Sequence, residues 1–307
     1  MNDLKILVVG AGATGGYFGG RLARAGRDVT FLVRPGRANL LRDRGLRIVG
    51  LGEDSVLRPS LVETGSLDST YDLVLLAVKA TGLTSAIDDF APAVGPGTLI
   101  LPFLNGLAHL DVLDARFGKD AVLGGVAKVQ TTIDDDGAIR RLGPLQSLSY
   151  GARTEPAPAR LSDVDAALTG AGFDAALDAR ITEAMWAKWV FIAAIGAVNS
   201  LMRGSIADVV AVPGGTDFAE AVVAEAAAVA EAAGYPVPTG DLEATRKTVT
   251  DPGGGGSSLY RDLLGGHSVE GEQIFGDLTA RARELGVSVP LLDLVTLQLR
   301  VHQHRIG

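Results

Sequence analysis

The chain of 307 residues contains no cysteine, which excludes disulfides, thiolate nucleophiles and cysteine-ligated metals while leaving the compartment open. Basic residues are outnumbered, 28 Lys and Arg against 36 Asp and Glu for a formal charge of -8, so a phosphate track for nucleic acid is not expected. No apolar run approaches membrane length: the longest, from Trp189 to Val198, is ten residues and reads as part of a buried helix. The first residues enter an apolar segment at once and lack a cleavable signal pattern, so a cytoplasmic location is expected. No internal repeat is evident. The three aspartates Asp134, Asp135 and Asp136 read as a solvated hairpin tip, because a tip alone does not converge enough oxygen ligands; no metal is expected.

What is present is a globular composition, 47% hydrophobic and 21% charged, with length enough for two domains. Residues 4–9 form an apolar segment that runs into Gly10-Ala11-Gly12-Ala13-Thr14-Gly15. This is the pattern of a buried strand feeding a glycine turn at a helix start. Gly10 permits the tight turn, Gly12 lets backbone approach a pyrophosphate, and Gly15 lets helix and strand pack closely. A second strand, Val29 to Val33, ends on Arg34. An NAD site usually presents an acid here to the ribose 2′-hydroxyl, yet no carboxylate lies between Val29 and Asn39. Arg34 and Arg37 suit a 2′-phosphate instead, since a guanidinium gives paired donors to phosphate oxygens; two solvated loop arginines are the plainer alternative.

Further strands are expected over 46–49, 56–57, 71–78 and 98–101, alternating with helical patterns as in a doubly wound, mostly parallel sheet. Residues 121–150 change texture to antiparallel strands and turns. A helix over 161–168 and a strand over 173–177 follow. From Ile181 the pattern is nearly all helix, over 183–201, 218–233, 241–249, 271–285 and 291–302. The glycines at 253–256 interrupt it as a mobile loop. The expected architecture is therefore an α/β Rossmann domain over 1–178 and an all-α domain over 179–307, the latter apolar enough that it could bury a homodimer interface.

Lys79 and Asn105 follow sheet strands, whose carboxyl ends face the ligand crevice of an open α/β sheet; singly, each also fits a surface lysine or a turn asparagine. Lys188 is the one basic residue in an apolar helix. It either snorkels to solvent or donates a proton to an oxygen gaining negative charge. Glu270 fits an exposed acid at a helix N-terminus, and Ser258 a helix cap after the glycine loop. Lys128 and His109 read as surface or structural residues.

In order and spacing, Gly10 to Gly15, Arg34, Val78-Lys79, Asn105-Gly106, Trp186 to Lys188, Ser257-Ser258 and Glu270 resemble the ketopantoate reductase family, the NADP-dependent 2-dehydropantoate 2-reductases. The resemblance covers nearly the whole chain. It implies a Rossmann domain joined to a helical domain, NADP(H) as cofactor and a small 2-oxo acid as substrate. Lys188 would be the general acid toward the ketone oxygen, and Glu270 would orient it beside the cofactor. Ser258 would contact the substrate carboxylate, Asn105 the nicotinamide ribose and substrate, and Lys79 the cofactor.

One departure bears on the substrate. Where the family typically carries asparagines one and two turns after the lysine, this chain has Ile192 and Gly196, giving apolar surface and space; Asn199 lies too far along to replace them. A bulkier or less hydroxylated 2-oxo acid is the expectation. The competing readings are a β-hydroxyacid dehydrogenase of the 3-hydroxyisobutyrate type and a non-catalytic NADP(H)-binding sensor.

Overall fold

A computed structural model describes residues 4–307; Met1, Asn2 and Asp3, read above for a signal segment, lie outside the described residues. The chain divides into two compact units. One runs to Leu104 and resumes over His109–Ile181, and the other comprises Asn105–Ala108 and Thr182–Gly307.

The first unit opens with β1 (Ile6–Val9), α1 (Ala13–Arg24), β2 (Val29–Val33), α2 (Pro35–Arg44), β3 (Leu46–Gly50), β4 (Glu53–Leu57), β5 (Ser60–Glu63) and β6 (Tyr71–Leu76). It continues with α3 (Leu83–Phe90), β7 (Val94–Pro102), α4 (Ala108–Phe117), β8 (Gly124–Ile133), β9 (Ile139–Gly151), α5 (Leu161–Leu168) and β10 (Asp174–Leu177). The order β5-β2-β1-β6-β7 makes a five-stranded sheet, parallel at every pairing. All four residues of β1 are buried, as a parallel strand covered on both faces requires. Val9 pairs with Leu32 on one side and Leu76 on the other, so Gly10, Arg34 and the 77–79 segment leave the sheet along one edge.

The expected antiparallel texture after residue 121 is the β8–β9 hairpin. Its turn carries Asp134 bonded to Arg140 and Asp136 within 3.7 Å of Arg47, so these carboxylates face arginines. The long β9 also pairs in parallel with β3 and β10, and β3 with β4 antiparallel, building a second, mixed sheet beside the parallel one.

The second unit is helical: α6 (Ile181–Met202), α7 (Ile206–Val210), α8 (Gly215–Ala232), α9 (Thr239–Val249), α10 (Ser258–Leu264), α11 (Asp277–Glu284) and α12 (Pro290–Ile306), with a π-helical turn at Glu272–Gly276. The ten-residue apolar run grows into a 22-residue helix, α6, long and apolar enough by length and composition alone to cross a bilayer. Its Ala193, Ala194, Ala197 and Val198 are inaccessible, the burial expected of a core helix. The glycine segment 253–256, expected as a mobile loop, is tied down: Ile206 N–H donates to Gly255 O at 3.1 Å and Ala207 N–H to Gly254 O at 2.9 Å.

Candidate active site

In the α/β unit the glycine turn has the stereochemistry its residues imply. Gly10 sits at φ 97°, in the region glycine tolerates at no steric cost. A Cβ on Gly15 would fall 2.2 Å from Gly10 O and 2.6 Å from Ala77 Cβ, so only glycine lets α1 lie this close to the sheet. A Cβ on Gly12 would meet nothing within 4 Å. That open approach, at the N-cap of α1, leads to the first-turn amides of Ala13 and Thr14, which lack intrahelical partners and favour an anion. The turn fits a dinucleotide pyrophosphate.

Arg34 is exposed at the N-cap of α2, and its Nη2 donates to Ser85 Oγ at 3.3 Å. Arg37 behaves differently. Its Nε donates to Ala11 O at 3.0 Å and its Nη1 to Gly137 O at 3.1 Å, and burial lowers its pKa. Arg37 therefore braces the glycine turn against the β8–β9 hairpin, and Arg34 is the arginine left at the surface. Lys79 is exposed where β6 gives way to a short 3-10 turn. Lys128 is exposed on β8, and His109 is buried on α4.

In the helical unit, Asn105 and Glu270, 165 positions apart, meet: Asn105 Nδ2 donates to Glu270 Oε2 at 3.2 Å. The contact depends on Gly106. That residue has φ 72°, and a Cβ there would fall 2.1 Å from Gln273 O, so the Asn-Gly turn can dock on the π-helical turn only without a side chain. Glu270 itself is half-buried just before that helix rather than the exposed acid its position alone suggested.

Lys188 is half-buried on α6. The next residue, Trp189, is 1% exposed, and its Nε1–H donates to Ile274 O at 2.9 Å. Since π turns disturb the regular ladder of backbone bonds, this indole secures a carbonyl of the segment following Glu270. The helix that bears Lys188 and the turn that follows Glu270 are thus joined by a buried hydrogen bond. Sequence reading missed Trp189, because nothing in its local pattern separates a core tryptophan from one with a specific acceptor.

Two expectations are corrected. Gly196 does not leave space: Phe275 Cζ lies 3.3 Å from the place of its absent Cβ, and both residues are buried. Capping of α10 falls to Ser257, whose Oγ accepts from Tyr260 N–H at 3.2 Å, which leaves Ser258 exposed at the first helical position. Asn199, distant from the lysine as expected, has another task. Its Nδ2 donates to Gly204 O at 2.9 Å and its Oδ1 accepts from Ser257 N–H at 2.9 Å, so it clamps the approach to Ser258. Among the described residues no group of three or more acidic or histidine side chains could hold a metal ion.

With this geometry in hand, comparison with known proteins gives a consistent result. The sequence model of the family described as "Ketopantoate reductase PanE/ApbA" matches residues 6–155, and that of its C-terminal part matches residues 180–303. The chain is similar to "Uncharacterized oxidoreductase YkpB" of Bacillus subtilis (strain 168), 32% identical over 301 residues that cover 98% of this chain and 99% of the relative. It is also similar to a "2-dehydropantoate 2-reductase" of Halobacterium salinarum, 30% identical over 306 residues covering 97% and 99%. A solved D-mandelate dehydrogenase with NADH and anilino(oxo)acetate matches in fold, with TM-score 0.89, 20% identity and 99% of each chain covered.

Proposed function

The chain belongs to the ketopantoate reductase family and is an oxidoreductase acting on CH–OH groups, and from that premise we propose that it reduces a 2-oxo acid to the 2-hydroxy acid with NADPH. The pair to test first is 2-dehydropantoate and pantoate, with a less hydroxylated 2-oxo acid as the second candidate. The observation that carries the reading is the Asn105–Glu270 bond, which fixes an acid in the unit whose long helix bears Lys188.

When bound, NADPH supplies a hydride to the carbonyl carbon. The Lys188 ammonium gives the proton that the carbonyl oxygen needs as it becomes a hydroxyl. Glu270, held by Asn105, orients that ammonium and the new hydroxyl. Asn105 Oδ1, on the far side of the amide from the Glu270 bond, accepts from the nicotinamide ribose or the substrate. Ser258, relieved of capping by Ser257, offers its hydroxyl to the substrate carboxylate, and the Ile192 side of α6 receives the carbon chain. In the other unit, residues Gly10 to Gly15 bind the pyrophosphate, Arg34 binds the 2′-phosphate, and Lys79 adds positive charge beside the cofactor. NADP(H) is preferred over NAD(H) because Arg34 stands where an NAD site places an acid.

NADPH oxidation against 2-dehydropantoate and a panel of other 2-oxo acids tests the reading, with Lys188→Ala as control. Turnover that falls on the order of 10²-fold or more in the variant, with NADPH binding retained, is expected for loss of a general acid. Unchanged turnover in the variant would remove Lys188 from the mechanism, and NADPH binding with no turnover of any acid would favour a sensor.

A further inference from the structure

Beyond Lys188, α6 offers almost nothing that can form a hydrogen bond. At helical spacing the residues four and seven positions on share its side; they are Ile192 and Ile195, both half-buried. Gly196, eight on, is roofed by Phe275, whose Cζ and Cε2 lie 3.3 and 3.7 Å from the place of the missing Cβ. Phe275 is fully inaccessible, so the roof is packed in place. The next amide side chain, Asn199, is fully buried with its Nδ2 and Oδ1 both engaged. From Lys188 onward this side of α6 is hydrocarbon for about 12 Å, at 1.5 Å per residue.

We infer, resting on the reductase reading above, that the substrate is a 2-oxo acid whose carbon chain carries no hydroxyl, with the half-buried Ile192 and Ile195 as its side-chain contacts. A hydroxyl laid against this wall loses water and gains no partner there. A hydrocarbon pocket discriminates against an added hydroxyl by up to about 10²-fold, whereas a wall with a free amide would favour the hydroxylated acid.

The test is a matched pair. Trimethylpyruvate has the skeleton of 2-dehydropantoate with hydrogen in place of the hydroxyl, so their relative kcat/KM with NADPH isolates recognition of that group. The wild-type protein is expected to favour trimethylpyruvate by about tenfold or more. Ile192→Asn, which puts an amide on the wall, is expected to narrow the ratio by about tenfold while the Kd for NADPH stays unchanged. Ile195→Asn serves the same purpose if the first variant does not fold. A ratio near unity, or one in favour of 2-dehydropantoate, overturns the inference and leaves the reductase reading standing. Failure of both acids and of the wider panel, with NADPH still bound, overturns the reductase reading and the inference with it.

Discussion

Asn105 Nδ2 donates to Glu270 Oε2 across 3.2 Å, joining a turn that follows β7, the last strand of the parallel sheet, to the segment that precedes a π-helical turn. Asn105→Ala and Glu270→Gln should each lower kcat/KM, by about tenfold or more, and their combination should fall short of the product of the two. Residues in direct contact typically show coupling of about 0.5–3 kcal/mol in such a cycle. Strict additivity in a double-mutant cycle on kcat/KM would mean that the contact has no bearing on turnover.

Arg34 is the exposed arginine of the pair after β2, its Nη2 within 3.3 Å of Ser85 Oγ. Arg34→Asp should weaken NADPH selectively and narrow its advantage over NADH, since an acid repels the 2′-phosphate and accepts from a 2′-hydroxyl. Arg37→Ala should instead lower stability, because Arg37 bonds Ala11 O and Gly137 O. Dissociation constants for both nucleotides and a melting curve separate the two roles; an unchanged nucleotide preference in Arg34→Asp removes it as the discriminator.

Trp189→Phe keeps an aromatic ring in the core and deletes the N–H that Ile274 O accepts. Loss of one hydrogen bond costs about 0.5–1.5 kcal/mol, and the Tm should fall by a few degrees, on the order of 2–4 °C per kcal/mol for a domain of about 150–250 residues. The kcat should fall as well, with KM for NADPH little changed, because the altered turn begins two residues after Glu270, whose carbonyl accepts from Ile274 N–H. A lower Tm with kcat intact would confine Trp189 to packing.

Acid should weaken the α/β unit. Burial raises the pKa of Glu53, but bonds from Ser55 and Arg21 outweigh it and the net value is lowered. Asp72 is likewise raised by burial and brought below its ordinary value by Arg160 and the Lys5 N–H. Both carboxyls hold protons more weakly folded than unfolded. Their stabilisation is therefore complete above the ordinary carboxylate range, about pH 4, and is lost as pH falls through and below it. The Tm should drop steeply below about pH 4, and Glu53→Gln should flatten that slope; an unaltered slope in the variant would assign the loss elsewhere.

Much of this was readable because it is local. β1, β6 and β7 announce themselves as apolar runs, and the glycine turn follows from strand, turn and helix in sequence. The helix α2 gives no such signal, since only Ala38 and Leu41 of its ten residues are buried. The site divides along the same line. Lys188 stands out as a lone charge in an apolar helix, and Ser257 and Ser258 mark a helix start without saying which hydroxyl caps it. The roof over Gly196 could not be read, because it depends on Phe275, 79 positions away, and on a π turn that no residue pattern announces. The Asn105–Glu270 bond is equally non-local; Gly106, whose positive φ permits it, looks in sequence like any other turn glycine.

The four residues Asn105–Ala108 belong to the helical unit although the chain on both sides of them belongs to the other. The polypeptide consequently changes units three times, and no single cut yields two whole halves. A fragment beginning at Thr182 would lack Asn105, the donor to Glu270, and Gly106, which lies against Gln273 O. The helical part is thus not a module that can be exchanged between sheets by simple end-to-end fusion: a chimera must import the short turn after β7 together with everything beyond residue 181, and recombination that respects only the later junction separates an acid from its donor.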